Sequence, residues 1–215
     1  MIESSTGIIL RTRPLTETSL IVHWLTPNFG RMATAAKGAR RPKSPFAGKL
    51  DLFYELDFSF TRSRKSDLHI LREVSLRETH AGFRADILKL QQAAYAVSFI
   101  EQATESDTPL PNIFKLLRTF LGQLWEQKLL KPMVISLELK LLHELGLEPD
   151  WTQVKLAVGT KKIAMLLSRK DFAAAKHLKM TEAQTEELRQ FLHGFLIFHL
   201  GRLPRGRAAA LAGEA

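Results

Sequence analysis

The stretch Leu50–Phe60 reads LDLFYELDFSF, and its spacing decides the fold class. Leu50, Leu52, Tyr54, Leu56, Phe58 and Phe60 alternate with Asp51, Phe53, Glu55, Asp57 and Ser59. A period of two sends one set to a core and the other toward water, which predicts a β-strand. Outward from it toward the N-terminus, TGIILRTR and SLIVHWLT are β-branched runs flanking PLTET, a hairpin loop. PNFGR brings the turn formers Pro27, Asn28 and Gly30, and RMATAAK reads as a weaker third strand. In the other direction TRSRKSD is a polar turn and LHILREVSL a further strand. Five short strands in residues 1–80 predict a small closed β-barrel, with the five-stranded OB-fold as the candidate.

Beyond Thr79 the apolar spacing changes to 3.6 residues. Phe83, Ile87, Leu90, Ala94 and Val97 predict a long amphipathic helix. ESDTPLPN breaks it. Asn112 then reads as the N-cap of a second helix, on which Ile113, Leu117, Phe120 and Leu124 share a face. A third helix is expected from near Pro132 to Gly146, buried because it is apolar nearly all round. EPDWTQVKLAVGTKK reads as irregular, and SRKDFAAAKHL as a short helix capped by Ser168. Thr181 with Gln184 forms a capping box for a last long helix ending near Gly201, followed by a basic, then Ala-rich tail. The expected class is α+β: an OB-fold barrel over residues 1–80, then a mostly α-helical domain over residues 81–215.

The net charge of +9 on 215 residues implies a polyanionic partner. Residues 1–80 hold 13 Lys/Arg against 8 Asp/Glu, a net of +5; residues 81–215 hold 18 against 14, a net of +4. There is no cysteine, which excludes disulfides and cysteine-ligated zinc or iron–sulfur sites. MIESSTGIIL lacks the pattern of a signal peptide, and Phe191–Leu200 is too short to span a bilayer, so a cytoplasmic protein is expected. No glycine-rich phosphate loop, nucleophile elbow or His-x-x-x-His pair is present. Glu101/Glu105 and Glu182/Glu186 read as solvated helix faces. The reading is a binding protein rather than an enzyme, with no catalytic residue, no metal ligand and no cofactor assigned.

The charge concentrates in KGARRPKSPFAGKL, Lys37–Leu50, which has five cations and no anion. Arg31, Lys37, Arg40, Arg41, Lys43 and Lys49, joined by Arg11 and Arg13, form the candidate anion surface, because the inter-strand loops of an OB-fold border its single-strand groove. Arg202, Arg205 and Arg207 are a second candidate cluster. Arg62, Arg64 and Lys65 read as a solvated hairpin tip. Phe29, Phe46 and Phe53 have two readings: rings that stack on bases, or rings that pack against neighbouring structure. A membrane-surface role is disfavoured because the cations sit in a β-loop rather than along an amphipathic helix.

GRMATAAKGARRPKSPFAGKLDLFYELDFSF resembles the N-terminal domain of the RecO recombination-mediator family, most specifically in KGARRPKS and the FAG that follows. GIILRTRPLTETSLIVHWLTPNFGRM resembles that family's opening strands. LRETHAGFRADILKLQQAAYAVSFIEQ, NIFKLLRTFLGQL, LELKLLHELGLEPDW and FLIFHLGRLP resemble its helices, in order. The resemblance implies binding of single- and double-stranded DNA, annealing of complementary strands, and work with RecR. It further implies contact with the acidic C-terminal tail of single-stranded-DNA-binding protein, SSB, loading of the RecA recombinase, and a place at the nucleoid. Arg11, Arg13, Arg31, Lys37, Arg40, Arg41, Lys43 and Lys49, with Arg202, Arg205 and Arg207, then become DNA contacts. Many family members carry a four-cysteine zinc module after the segment matching GLEPDW. This chain has TQVKLAVGTKKIAMLLSRKDF there, so residues 147–180 are expected to replace the module by packing of Val154, Leu156, Ile163, Leu166 and Leu167. The rival reading is an adaptor that binds acidic peptide tails, through Arg84, Lys115 and Arg118, with little direct DNA role.

Overall fold

The computed structural model describes residues 1–83, 85–124, 130–175 and 178–212. Two compact units emerge: Met1–Ala81 with Thr104–Lys115, and Gly82–Ala103 with Leu116–Ala215.

The first unit is built on β1 (Ile2–Pro14), β2 (Leu20–Thr26), β3 (Gly30–Ala36), β4 (Glu55–Thr61) and β5 (Leu68–Glu78). They close into a barrel in the order β1-β2-β3-β5-β4, antiparallel throughout except where β3 meets β5. This is the expected five-stranded OB-fold arrangement. Ile9, Val22, Trp24, Met32, Leu56, Phe58, Phe60 and Leu71 fill it. Trp24 stacks on Phe58 with ring centroids 4.2 Å apart, and its indole N–H donates to Thr34 Oγ1 at 2.8 Å, which satisfies that buried donor. A Cβ on Gly7 would come within 2.9 Å of Phe58 and 3.1 Å of Trp24, so glycine there lets the two rings sit against β1.

The alternation in Leu50–Phe60 holds only from Leu56 onward. Leu56, Phe58 and Phe60 point inward, but β4 starts at Glu55 and the preceding residues form a turn. Phe53 adopts φ +66°, and its N–H donates to Ile9 O at 2.9 Å while Ile9 N–H donates to Tyr54 O at 3.0 Å. A left-handed residue reverses the phase of the side chains. Phe53 is therefore buried and Leu52 exposed, the opposite of a continuous strand.

The break between the first two long helices also has a structure of its own. Asp107 N–H donates to Arg31 O at 3.0 Å, and Leu110 N–H donates to Pro27 O at 3.1 Å, so the segment lies along the start of β3. Gly30 has φ +61°, and a Cβ there would fall 1.8 Å from Thr108 O. Only glycine admits that approach.

The second unit contains α1 (Ile87–Ala103), the later part of α2 (Pro111–Leu124), α3 (Leu130–Glu144), α4 (Val158–Arg169), α5 (Phe172–Ala175), α6 (Glu182–Leu200) and α7 (Arg207–Leu211). Asp86 Oδ1 caps α1 by accepting from the N–H groups of Leu88 and Lys89. The buried residues of α1 are Gln92, Ala93, Tyr95, Ala96, Val97, Phe99 and Ile100, so Val97 lies on the buried side as expected, whereas Ala94 and Ile87 are exposed. α3 is buried nearly all round, as its composition predicts. The capping box at Thr181 and a left-handed Gly201 bound α6.

The region without cysteines contains a full helix, α4, where an irregular segment is expected. Ser168 lies in its last turn, its hydroxyl bonded back to Met165 O, and does not cap a new helix. Leu167 and Ala164 are buried, Leu166 is 42% exposed, and Val154, Leu156 and Ile163 are half-buried. Side chains tie both ends of the helix. Ser136 Oγ of α3 donates to Leu167 O at 2.8 Å, and Lys140 Nζ donates to Ser168 O and Lys170 O. At the other end Glu187 of α6 accepts from Ala157 N–H at 2.7 Å and from the Thr160 hydroxyl. A carboxylate at the N-terminus and an ammonium at the C-terminus both complement the helix dipole. Among the described residues, no group of three or more His, Asp or Glu is placed to hold a metal ion, and no helix is long and apolar enough to cross a membrane.

Candidate nucleic-acid interface

A bulge decides where Arg11 and Arg13 point. Ile9 pairs with Trp24, both inward; the register then shifts, and Arg11 pairs with His23 and Arg13 with Ile21. Leu10 is the extra residue. Without it Arg11 would turn into the apolar core; with it both arginines stand on the outer face. His23 and Ile21 continue across to Ala33 and Ala35 on β3, and Leu25 to Arg31. The outer face of β1, β2 and β3 thus carries Arg11, Arg13 and Arg31 around one imidazole.

The electrostatics report the same grouping. Partial burial, then the charges of Arg11, Arg13 and Arg31, lower His23 to about 4. His23 is neutral at pH 7, and its buried Nε2 has no hydrogen-bond partner among the described residues. Arg31 is partly committed: its guanidinium donates to Thr104 O at 2.5 Å.

The loop from Lys37 to Tyr54 is a chain of tight turns. Ala39 N–H bonds Ala36 O, Arg41 N–H bonds Gly38 O, Ser44 N–H bonds Arg41 O, Ala47 N–H bonds Ser44 O, and Lys49 N–H bonds Phe46 O. Phe46 is 6% exposed and belongs to the barrel core, which resolves its two readings in favour of packing. It anchors the loop, and Ala39 and Leu50 pack beside it. Lys37, Arg40, Arg41 and Lys43 are exposed around this anchor, and Lys49 is half-buried. Arg40 N–H donates to Thr18 O at 2.9 Å and its guanidinium to Thr16 O at 3.4 Å, and Gly38 N–H donates to Ser19 Oγ at 3.3 Å. The basic loop is therefore fastened to the β1–β2 loop, one of the loops through which OB-folds hold oligonucleotides.

Three cations elsewhere on the barrel have local partners. Arg77 pairs with Asp57 at 2.5 Å, Arg62 with Glu3 at 3.3 Å, and Arg72 Nε donates to Thr61 Oγ1 at 2.8 Å. Lys37, Arg41, Lys43 and Lys49 pair with no carboxylate among the described residues. Arg62 also lies over the Phe29 ring, which packs edge-on against Phe60; Phe53 is buried in its turn. All three phenylalanines are engaged in packing.

The second cluster divides. Arg202 and Arg205 are exposed after α6. Arg207 departs from the expectation: it is 4% exposed and makes a bidentate pair with Glu138 at 2.7 and 2.9 Å, with the Tyr95 hydroxyl donating to the same carboxylate. Burying both charges requires that pairing, so Arg207 has no face left for DNA. Glu138 lies 69 residues away, and nothing in the local sequence announces it. Of the cations considered for an acidic peptide, Lys115 and Arg118 are exposed on α2, and Arg84 lies outside the described residues.

Residues 1–80 match the family Recombination protein O N terminal, and residues 84–154 match Recombination protein O C terminal. Over 237 residues the chain is 26% identical to the DNA repair protein RecO of Alkaliphilus metalliredigens, covering 94% of this chain and 96% of that one. It is 27% identical over 241 residues to the DNA repair protein RecO of Desulfatibacillum aliphaticivorans, with 94% and 93% covered. With the DNA repair protein RecO of Bacillus subtilis it shares 30% identity over 150 residues, 70% of this chain and 58% of that one. One family thus accounts for the barrel and the first helices in sequence order, and the chain belongs to the Recombination protein O (RecO) family of DNA repair proteins, as a member without cysteines.

Proposed function

We propose that this protein is a non-catalytic recombination mediator that binds single- and double-stranded DNA and anneals complementary strands. It works with RecR and the acidic SSB tail to help load RecA at repair sites in the cytoplasm. The observation that carries the reading is the joining of Arg11, Arg13 and Arg31 on one barrel face with the Lys37–Lys49 loop fastened beside it. Cations gathered on one surface neutralise phosphates and release counterions, a term independent of base sequence. Two DNA strands repel each other, and a basic surface that holds both lowers that repulsion without nucleotide hydrolysis. Arg202 and Arg205 add a second contact.

The test is annealing of complementary oligonucleotides followed by fluorescence. Wild-type protein should speed annealing at low salt, and Arg40→Ala with Arg41→Ala should slow it for every sequence alike. An annealing rate no faster with protein than without would refute the reading.

A further inference from the structure

A row of rings runs along the C-terminal half of α6. Trp151 and Phe191 have centroids 6.2 Å apart, Phe191 and Phe195 5.5 Å, and Phe195 and the His199 imidazole 4.3 Å. Phe198 meets His199 edge-on at 4.9 Å. Positions 191, 195 and 199 are four apart and share one helix face. Leu188, Leu192 and Leu196 are the residues that α6 buries, so the rings are not what docks the helix. Phe198 is 83% exposed and Ile197 40%, while Trp151, Phe191 and Phe195 are half-buried.

At the Trp151 end the indole N–H donates to Glu148 at 3.3 Å, but toward Phe198 the charge has one sign. From Phe191 to Ala212 the sequence holds no Asp or Glu. Arg202 and Arg205 follow the helix, are exposed, and pair with no carboxylate among the described residues. An exposed phenylalanine ring protrudes, offering a flat π-face rather than a pocket. Flat rings beside arginines match bases beside phosphates, since every base has a π-face and stacks regardless of its identity.

We infer that the Phe191–Phe198 row is a stacking platform for the unpaired bases of single-stranded DNA, with Arg202 and Arg205 holding its phosphates. This rests on the DNA-binding reading above and adds a distinction to it. Phosphate contacts on the barrel take single strands and duplexes alike, whereas the ring row takes only strands whose base faces are free.

The experiment measures binding of an oligo-dT single strand and of a duplex of equal length, across a salt series, for full-length wild type, Phe198→Ala, Phe198→Tyr and Arg202→Ala/Arg205→Ala. Phe198→Ala should weaken single-strand binding about tenfold with an unchanged salt slope and leave duplex binding unchanged. Phe198→Tyr should restore the affinity. The arginine double variant should lower the salt slope. Because Phe198 is exposed, all variants should melt like wild type. Equal single-strand affinity for Phe198→Ala and wild type overturns the inference. So does a wild-type dimer that Phe198→Ala dissolves without altering DNA affinity, which would give the row to a second copy of the chain. Wild-type protein that binds no DNA at all would instead bring down the underlying reading.

Discussion

Glu138 and Arg207 place opposite charges inside the helical unit, each under 5% exposed. Removing one partner leaves the other buried and unpaired, which costs about 3–5 kcal/mol; replacing both with apolar residues of similar volume is close to neutral. Arg207→Ala should therefore lower the unfolding free energy by about 3–5 kcal/mol, and Glu138→Met with Arg207→Met should recover most of it, both read from urea titrations. DNA binding by the barrel should stay as in wild type at temperatures where the variant is folded. The pair also shows what a sequence hides. Arg202, Arg205 and Arg207 look alike on paper, and only the long-range partner of Arg207 separates it from the other two.

α4 lies within residues 147–180, the segment expected to be held by packing and hydrogen bonds alone. Its ties are Ser136 and Lys140 at one end and Glu187 at the other. Lys140→Met removes the ammonium that meets the last carbonyls of α4, and hydrogen bonds to charged groups contribute about 1.5–3 kcal/mol, less here because the lysine is half-exposed. Faster amide exchange confined to residues 158–169, with the barrel amides unchanged and with identical melting in the presence and absence of a chelator, is the expected outcome. α4 was hard to read because Ala157 offers no side-chain cap and the carboxylate that replaces it comes from α6. By contrast, the capping box of α6 lies within four consecutive residues and is legible. The strand at Leu56–Phe60 is legible for the same reason, since its period is local. The turn before it is not, because a left-handed Phe53 is stabilised by Ile9, far away in sequence. On the site, the loop cations could be read directly. The bulge at Leu10 and the position of His23 amid three arginines depend on strand register and could not.

For the whole molecule, pH acts through groups on both units. Hydrogen bonds to Arg77 and Thr6 hold Asp57 below its ordinary range, and bonds from Thr160 and Ala157 do the same for Glu187. Bonds to Arg189 and Gln190 lower Glu186 to about 2. A carboxylate depressed in the folded state adds stability above its unfolded value, lost as pH falls through the folded one. His23 works in the same direction for a different reason. The unfolded chain takes up its proton near 6.5 and the folded chain only near 4, so acid favours unfolding. Stability should be level above about pH 6.5, decline gradually toward pH 4, and fall more steeply from about 4.5 toward 2, as read from urea midpoints at fixed ionic strength.

The proposed DNA contacts are exposed or half-buried cations on the barrel face and its loop, so salt concentration is the variable that tests them. The most direct measurement is fluorescence anisotropy with single-stranded DNA across a salt series, wild type against Arg40→Ala/Arg41→Ala. Each lost phosphate contact should reduce the slope of log K against log salt by about 0.7, so the double variant should bind all sequences more weakly, with a slope shallower by about 1.4. The same affinity and the same slope in both proteins would contradict the account.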